Sequence, residues 1–517
     1  MLLSCYNICY EESELRIYYK SRCMVSIIKS RKSGPGFELY AVTVDKCNEA
    51  SLHYTVLRIV SLVFLVRYDN QHEPSHAVDF ADSTKAFVTK TTWEITRAVL
   101  VLQMCTYDVV VDNSLKLMQL GRRILGQTLF GYLMKATFYG QFVGGDTPDK
   151  IEATFSRLRD AGIHSMPLLT IEENVGDRAQ VEERFYDNST QYYVDTIRST
   201  TDILAQHGAH ARLFQMRLTS FMHAQLLVTI SRHLSEDPSA TELSIEHLST
   251  GLCDDNKSFH LSFLSTEDNK HLRNALLRLH AVCKQAESCN VRMLVDAEYT
   301  SMRPAITRLV LALMYKYNRT HPLVWNTYQC YLKSAYNSVL EDMALARQLG
   351  FCIGIKIVRG AYMDHERAVA RQQGYEDPIH ATYDDTSSMY HRVLDKTLQF
   401  VQDSQGEQVN VIVATQNEET AKHAIRRMQE LGIQKDDRRI CFGQQYGMAD
   451  QISYHLARAG YAVYKSVPVG PLHTTIAYLN RRALENRTAL RGFRQENRLL
   501  WAEMGRRARH PLSWWKY

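Results

Sequence analysis

Apolar residues change their spacing along this chain, and the changes mark out its parts. From Ala77 to about Met134 they recur at three and four positions, as in Thr92-Trp-Glu-Ile-Thr-Arg-Ala-Val-Leu, Ser114-Leu-Lys-Leu-Met-Gln-Leu and Thr128-Leu-Phe-Gly-Tyr-Leu-Met. This spacing predicts an arm of amphipathic helices. Beyond it, short apolar runs alternate with longer amphipathic stretches. Ala136–Val143, His164–Ile171, Arg212–Phe221, Val291–Tyr299, Pro322–Tyr331, Phe351–Tyr362, Val409–Asn417 and Arg439–Gln445 read as strands. Segments such as Asn274-Ala-Leu-Leu-Arg-Leu-His and Ala421-Lys-His-Ala-Ile-Arg-Arg-Met read as the helices between them. Strands that are apolar almost throughout, each followed by a helix, predict a parallel sheet buried on both faces. Eight such strands close a (β/α)8 TIM-type barrel; an open, doubly wound sheet is the alternative. The connection over 175–260 is long for a barrel and predicts an insertion.

The two ends differ from this middle. Residues 1–75 read as a leader: Lys20, Arg22, Lys29, Arg31 and Lys32 make a basic tract, but Glu11, Glu12 and Glu14 break the acid-poor pattern of an organelle transit peptide. The apolar run Val56–Val66 contains Arg58 and is too short to span a bilayer. The expected organisation is a leader over 1–75, a helical arm over 76–135, and a barrel with C-terminal helices over 136–510.

Composition narrows the classes without choosing one. The 517 residues are 45% hydrophobic and 23% charged, with a net charge of +5, ordinary for a globular protein and no argument for nucleic acid. The 11 cysteines form no C-x-x-C pair and read as reduced thiols. The C-terminal arginines (Arg487, Arg491, Arg494, Arg498, Arg506, Arg507, Arg509) could suggest a nucleic-acid or membrane-surface module, but Glu485, Glu496 and Glu503 interleave with them as on a solvated helix.

Candidate chemistry lies where the strands end, because barrel enzymes work at that face. The runs close in Asp296-Ala-Glu298-Tyr299, Gln329-Cys-Tyr331, Lys356-Ile-Val-Arg359-Gly-Ala-Tyr362 and Ala414-Thr-Gln-Asn417. Each could be a helix cap or a satisfied core polar group. Together, Lys356, Arg359, Thr415 and Asn417 suit an anionic ligand with diphosphate and hydroxyl groups. There is no G-x-G-x-x-G after a strand, so a dinucleotide would need a non-Rossmann site. Near the C-terminus, Pro468-Val-Gly-Pro471 leads into Tyr478-Leu-Asn-Arg-Arg-Ala-Leu-Glu485-Asn486, where Tyr478, Arg481, Arg482 and Glu485 share one helix face. Paired guanidiniums can grip a carboxylate; a solvated helix with an Arg481–Glu485 ion pair is the plainer reading.

Taken together, Val295-Asp-Ala-Glu298, Trp325-Asn-Thr-Tyr-Gln-Cys-Tyr331, Val358-Arg-Gly-Ala-Tyr362, Cys441-Phe-Gly-Gln444 and Tyr478–Asn486 resemble the signatures of the proline dehydrogenase family, from about Asp79 to Arg507. Phe138-Tyr-Gly-Gln-Phe-Val, Asp296-Ala-Glu-Tyr-Thr-Ser301 and Glu366-Arg-Ala-Val-Ala370 are most similar to its hydroxyproline dehydrogenase branch. The resemblance implies an FAD-binding barrel, mitochondrial in eukaryotes, that moves a hydride from ring C5 of a cyclic amino acid to the flavin and leaves an imine. It implies that Arg481 and Arg482 hold the substrate carboxylate, that Glu485 orients them, that Tyr478 and Tyr362 line the substrate, and that Asp296 is an active-site acid. Gln329, Lys356, Arg359, Gly360, Thr415 and Asn417 would be flavin contacts.

Four positions depart from the family's pattern. Arg217 stands where a lysine near the carboxylate is usual, Gln416 replaces a histidine, Gln445 replaces a leucine, and Ser466 replaces the tyrosine of proline-specific members. The last two make the pocket more polar and mark Ser466 and Gln445 as specificity positions. The implied function is oxidation of trans-4-hydroxy-L-proline and/or L-proline, with electrons passed to a quinone, peripheral contact with the mitochondrial inner membrane and no nucleic acid. A strict L-proline dehydrogenase and a degenerate, non-catalytic barrel are the alternatives.

Overall fold

The computed structural model describes the backbone of four short strands between residues 6 and 45, and then residues 78–87, 89–170, 183–205, 211–404, 406, 408–476, 478–480 and 490–509. The chain forms two units, Met1–Ala77 and Val78–Tyr517. In the first, Tyr6–Glu11, Glu14–Tyr19, Cys23–Lys29 and Tyr40–Asp45 pair in sequence order as an antiparallel sheet. The remainder of the expected leader lies outside the described residues.

The second unit is built on a closed barrel of eight parallel strands: β1 (His164–Leu169), β2 (Arg212–Met216), β3 (Val291–Val295), β4 (Val324–Gln329), β5 (Ile353–Val358), β6 (Val409–Ala414), β7 (Ile440–Gln445) and β8 (Val463–Val469). Pairing of β8 with β1, from Tyr464↔His164 to Val469↔Leu169, closes the ring. Their outward side chains pack beneath the surrounding helices in one large core. The stretch expected to hold an insertion contains β2 itself and the added helices Ala224–Glu236 and Ile245–Thr250.

Side chains alternate along a strand, so two successive inward positions on each strand build two layers inside the barrel. The lower layer is apolar: Met166, Leu213, Leu294, Trp325, Ile412, Cys441 and Tyr464 fill it. Gly354 belongs to this level, and a Cβ there would fall 2.2 Å from the Trp325 indole. Glycine on β5 thus lets one large ring plug the floor. Two residues further along, the same strands present Gln215, Asp296, Thr327, Lys356 and Ser466, and Gln445, four residues beyond Cys441, is in register with Ser466. A sealed apolar floor beneath a polar mouth is the arrangement that positions a ligand at the C-terminal face.

One expected strand assignment needs correction, and one strand was not expected. Ala136–Val143 is not a strand. It contains the end of the helix Ser114–Ala136 and the short helix Phe138–Phe142. Phe138, Tyr139, Phe142 and Val143 lie at helical spacing, and Tyr139 donates to the Gly470 carbonyl at 2.7 Å, holding this helix against the end of β8. The eighth strand is Val463–Val469, whose Lys465, Ser466 and Pro468 disguise it as a loop; all seven residues are buried. The arm helices Thr92–Met104 and Ser114–Ala136 share a second core with Leu168, Met448, Tyr478, Leu479 and Leu500. Leu500 belongs to the helix Leu490–Arg509, where Arg507 is buried, pairs with Glu503 at 2.7 Å and donates to the Lys90 carbonyl at 2.8 Å. That arginine serves to dock the helix on the arm.

Candidate active site

The mouth is organised around Lys356 on β5. Its ammonium donates to Asp296 Oδ1 at 2.7 Å and to Gln215 Oε1 at 2.9 Å. The Gln215 amide nitrogen in turn donates to Ser466 Oγ. One continuous chain therefore crosses the barrel interior from β3 to β5 to β2 to β8. Lys356, Gln215 and Ser466 are buried, yet the ion pair is not sealed: the side chains of Lys356 and Asp296 are 11% and 15% exposed. An ammonium has three donors, and among the described residues this one uses two, which leaves a third for a ligand.

Glu298 lies one inward position beyond Asp296. It is buried and accepts from the Thr219 amide at 3.2 Å and hydroxyl at 2.6 Å. Burial pushes its carboxyl above the usual range, with Arg217 opposing that shift and Asp296 adding to it. Arg217 thus faces the Asp296–Glu298 strand end. Gln329 is buried and donates to the Glu298 carbonyl at 3.1 Å. Thr300 donates from its amide to Glu366 Oε1 at 2.8 Å and from its hydroxyl to Glu366 Oε2. The Asp296–Ser301 and Glu366–Ala370 segments are therefore joined by a buried carboxylate. Tyr362 packs on Tyr299, ring centroids 4.6 Å apart.

The other wall combines a cation with a capped helix. Arg359 lies over the Tyr383 ring at 4.5 Å and donates to Ser387 at 3.1 Å and Thr420 at 3.2 Å. Gly360 has φ of +132°, and a Cβ there would fall 2.1 Å from the Tyr331 ring, so no other residue fits. Asn417 caps the helix Glu418–Glu430, accepting from the Thr420 amide at 2.8 Å, and donates to the Tyr383 hydroxyl at 2.8 Å. Thr415 is buried beside it and accepts from the Asn417 amide at 3.0 Å. Among the described residues, the Gln416 side chain meets the Met448 sulfur alone, at 3.8 Å. Gln445 and Ser466 are register partners on β7 and β8. Among the described residues, Gln445 Oε1 and Arg359 Nε are buried without a hydrogen-bond partner.

The structure thus brings Asp296, Lys356, Arg217, Gln329, Ser466 and Gln445 to one mouth, with Arg359, Gly360, Thr415 and Asn417 at the ends of β5 and β6. Tyr478 is buried in the second core with Leu168 and Met448, near the ends of β1 and β7. Arg481, Arg482 and Glu485, expected to hold and orient a carboxylate, lie outside the described residues. Sequence reasoning passed over Gln215. The available signal was its place two residues before Arg217, where an apolar run turns polar at an inward position.

A family model described as proline dehydrogenase matches residues 153–495, which includes all eight strands of the barrel. The chain belongs to the proline dehydrogenase family. It is 42% identical over 434 residues to hydroxyproline dehydrogenase of Xenopus laevis, covering 83% of this chain and 90% of that one. It is 32% identical over 546 residues to the mitochondrial proline dehydrogenase 1 of Homo sapiens, covering 84% and 90%. Among solved structures, proline utilization A of Bdellovibrio bacteriovorus superposes with a TM-score of 0.54 at 19% identity, over 78% of this chain. This chain spans 38% of that longer protein, and the likeness shows the barrel fold.

Proposed function

We propose that this chain is an FAD-dependent dehydrogenase of trans-4-hydroxy-L-proline and L-proline, with the hydroxylated ring preferred. Oxidation of the ring C–N bond to C=N removes two electrons and two protons, and no side chain can take up the electrons. When bound, the flavin supplies that two-electron acceptor. The residues present fit it: Lys356 keeps an uncommitted donor in the mouth, Arg359 offers a cation and an unmet N–H, and Gln329 and Thr415 line the strand ends between them. Asp296 fixes Lys356 in place, while Arg217 supplies positive charge for the substrate carboxylate together with Arg481 and Arg482. Glu485 orients that pair, and Tyr478 and Tyr362 wall the ring. Each of these roles is proposed for the position that carries it here.

The observation that carries the substrate reading is the polar pair at Ser466 and Gln445. An apolar ring leaves such groups unpaired, whereas a ring hydroxyl satisfies them. The decisive experiment is anaerobic addition of substrate to the purified protein. We expect a yellow protein that bleaches faster with trans-4-hydroxy-L-proline than with L-proline. Faster bleaching by proline would return the strict L-proline reading, and a colourless or unbleached protein would overturn the dehydrogenase itself.

A mitochondrial location and a quinone acceptor accompany this reading. Among the described residues, no helix is long and apolar enough to cross a membrane. The helix Ser114–Ala136, however, exposes Leu117, Leu120, Ile124, Leu129 and Tyr132, with Ile124 72% and Tyr132 69% accessible, and carries Lys116, Arg122 and Arg123 among them. Apolar side chains interleaved with cations suit the surface of an anionic bilayer, where a quinone resides.

A further inference from the structure

The hydrogen bonds in the mouth have a direction fixed by chemistry. An ammonium only donates, so the side-chain oxygen of Gln215 must face Lys356, 2.9 Å away. Its NH2 group is thereby turned to Ser466, whose Oγ accepts. Gln215 has little freedom to do otherwise. It is 2% exposed, its strand pairs with Leu168 on one side and Leu294 on the other, and Lys356 is itself held by Asp296. A serine oxygen that accepts from an amide has its own proton left to give elsewhere. On the neighbouring strand, in register with Ser466, Gln445 carries an Oε1 without a partner among the described residues. The two side chains present one donor and one acceptor side by side, the complement of a hydroxyl group, which both accepts and donates.

We infer that Gln215 is a specificity-determining positioning residue: by donating to Ser466 it makes that hydroxyl a donor towards the 4-oxygen of the substrate ring, whose own proton goes to Gln445. This rests on the proposed function and adds to it the residue that sets the polarity of the pocket. Ser466 alone could donate or accept. With Gln215 donating to one of its lone pairs, its proton is left to turn towards the ring, and the donor sense is favoured.

The test uses the holoenzyme and two ratios. One is kcat/KM for trans-4-hydroxy-L-proline over that for L-proline. The other is the affinity ratio for 5-oxo-L-proline with and without a 4-hydroxyl, rings that are already oxidised at C5 and report binding alone. Gln215→Glu replaces the amide donor with a second acceptor, so Ser466 turns its proton inwards. Both ratios should fall about tenfold, the size of one lost hydrogen bond. Gln215→Leu, which removes the donor to Ser466 together with the acceptor for Lys356, should lower them less and carries the same comparison if the glutamate variant does not fold. In a Ser466→Ala background, either change at Gln215 should leave both ratios within about twofold, because the residue through which Gln215 acts is gone. Ratios unmoved by Gln215→Glu, or moved equally with and without Ser466, would overturn the assignment. A protein that neither ring amino acid bleaches defeats the proposed function instead, and the affinity ratios then still decide the role of Gln215.

Discussion

Two buried lysines, Lys356 and Lys465, invite comparison because each lies within a strand of the barrel and each is paired to an aspartate. Lys356 points inward and meets Asp296 at 2.7 Å; Lys465 points outward and meets Asp450 at 2.8 Å. The surroundings differ. Lys465 is 1% exposed and also donates to the carbonyls of Met448 and Gln445, while Asp450 receives a second lysine, Lys90 of the arm, at 2.6 Å. Glu496 of the C-terminal helix accepts from the amides of Ala449 and Asp450 and completes the cluster. The outer cluster is a clasp between elements: it ties the arm, the loop after β7 and the last helix to β8, with Lys465 itself sealed and Lys90 14% exposed. The inner one ends in Ser466, beside the Gln445 oxygen that has no partner among the described residues. Burial of a charge is therefore no mark of function. A buried chain of polar groups that stops short of satisfying its last members is the better mark.

The sharpest way to break this comparison is to remove each lysine. Lys465→Met removes one of the two lysines paired to the buried Asp450, and loss of a partner from a buried ion pair costs up to about 3–5 kcal/mol, of which Lys90 offsets part. We expect a large fall in the denaturation midpoint and release of the C-terminal helix, seen as new proteolytic cleavage near Leu490–Arg509. Lys356→Met should behave differently. The expected effect is on flavin retention or flavin potential, with the loss of one charge-assisted bond weakening flavin binding by about 1.5–3 kcal/mol. The distinction fails if Lys356→Met destabilises the fold as much as Lys465→Met does while leaving the flavin untouched.

Within the inner cluster, the open end can be closed. Ser466→Tyr with Gln445→Leu replaces the donor and acceptor by a bulky ring and an apolar chain. The double variant should shift the hydroxyproline-to-proline ratio of kcat/KM towards proline by about 1–3 kcal/mol, a lost hydrogen bond plus a steric clash. An unchanged ratio would place the pocket's selectivity elsewhere.

The sequence made much of this visible, for physical reasons that also explain the failures. Seven strands announced themselves because a parallel strand covered on both faces must be apolar almost throughout. The eighth did not, since Lys465 and Ser466 belong to the two clusters just compared and Pro468 reads as a loop residue. The helix Phe138–Phe142 passed for a strand because five residues are too few to separate a period of 3.6 from a short apolar run. Lys356, Asp296 and Gly360 were legible as charges and a glycine at strand ends. Gln215 was faint, because its one local mark is a polar residue at an inward position two before Arg217, and its partners lie 141 and 251 residues away. The outer cluster was equally hidden, its members being scattered from Lys90 to Glu496.

A last, smaller effect separates the two clusters by pH. Burial, reinforced by the charge of Asp450, pushes the Glu496 carboxyl above the usual carboxylate range, against the pull of two backbone amides and Lys465. Burial would raise Asp450 as well, but Lys465 and Lys90 outweigh it and hold that carboxyl below the usual range. The signs are opposite. Asp450 contributes stability that is present above the ordinary aspartate value and is lost as pH falls through its depressed one. Glu496 is easier to ionise unfolded than folded, so its contribution declines as pH rises from the ordinary glutamate value to its raised one. Glu496→Gln cannot ionise and removes that decline. The glutamine NH2 must face one of the two amide donors, which adds a cost that does not vary with pH, so the slope is the quantity to read. The stability difference between the variant and the unaltered chain should move in the variant's favour by about 1–2 kcal/mol between pH 5 and pH 8. Denaturant titrations at intervals across that range measure it. A flat difference, or one that moves against the variant as pH rises, would mean that the outer cluster holds Glu496 as an ordinary carboxylate and is less sealed than its geometry indicates.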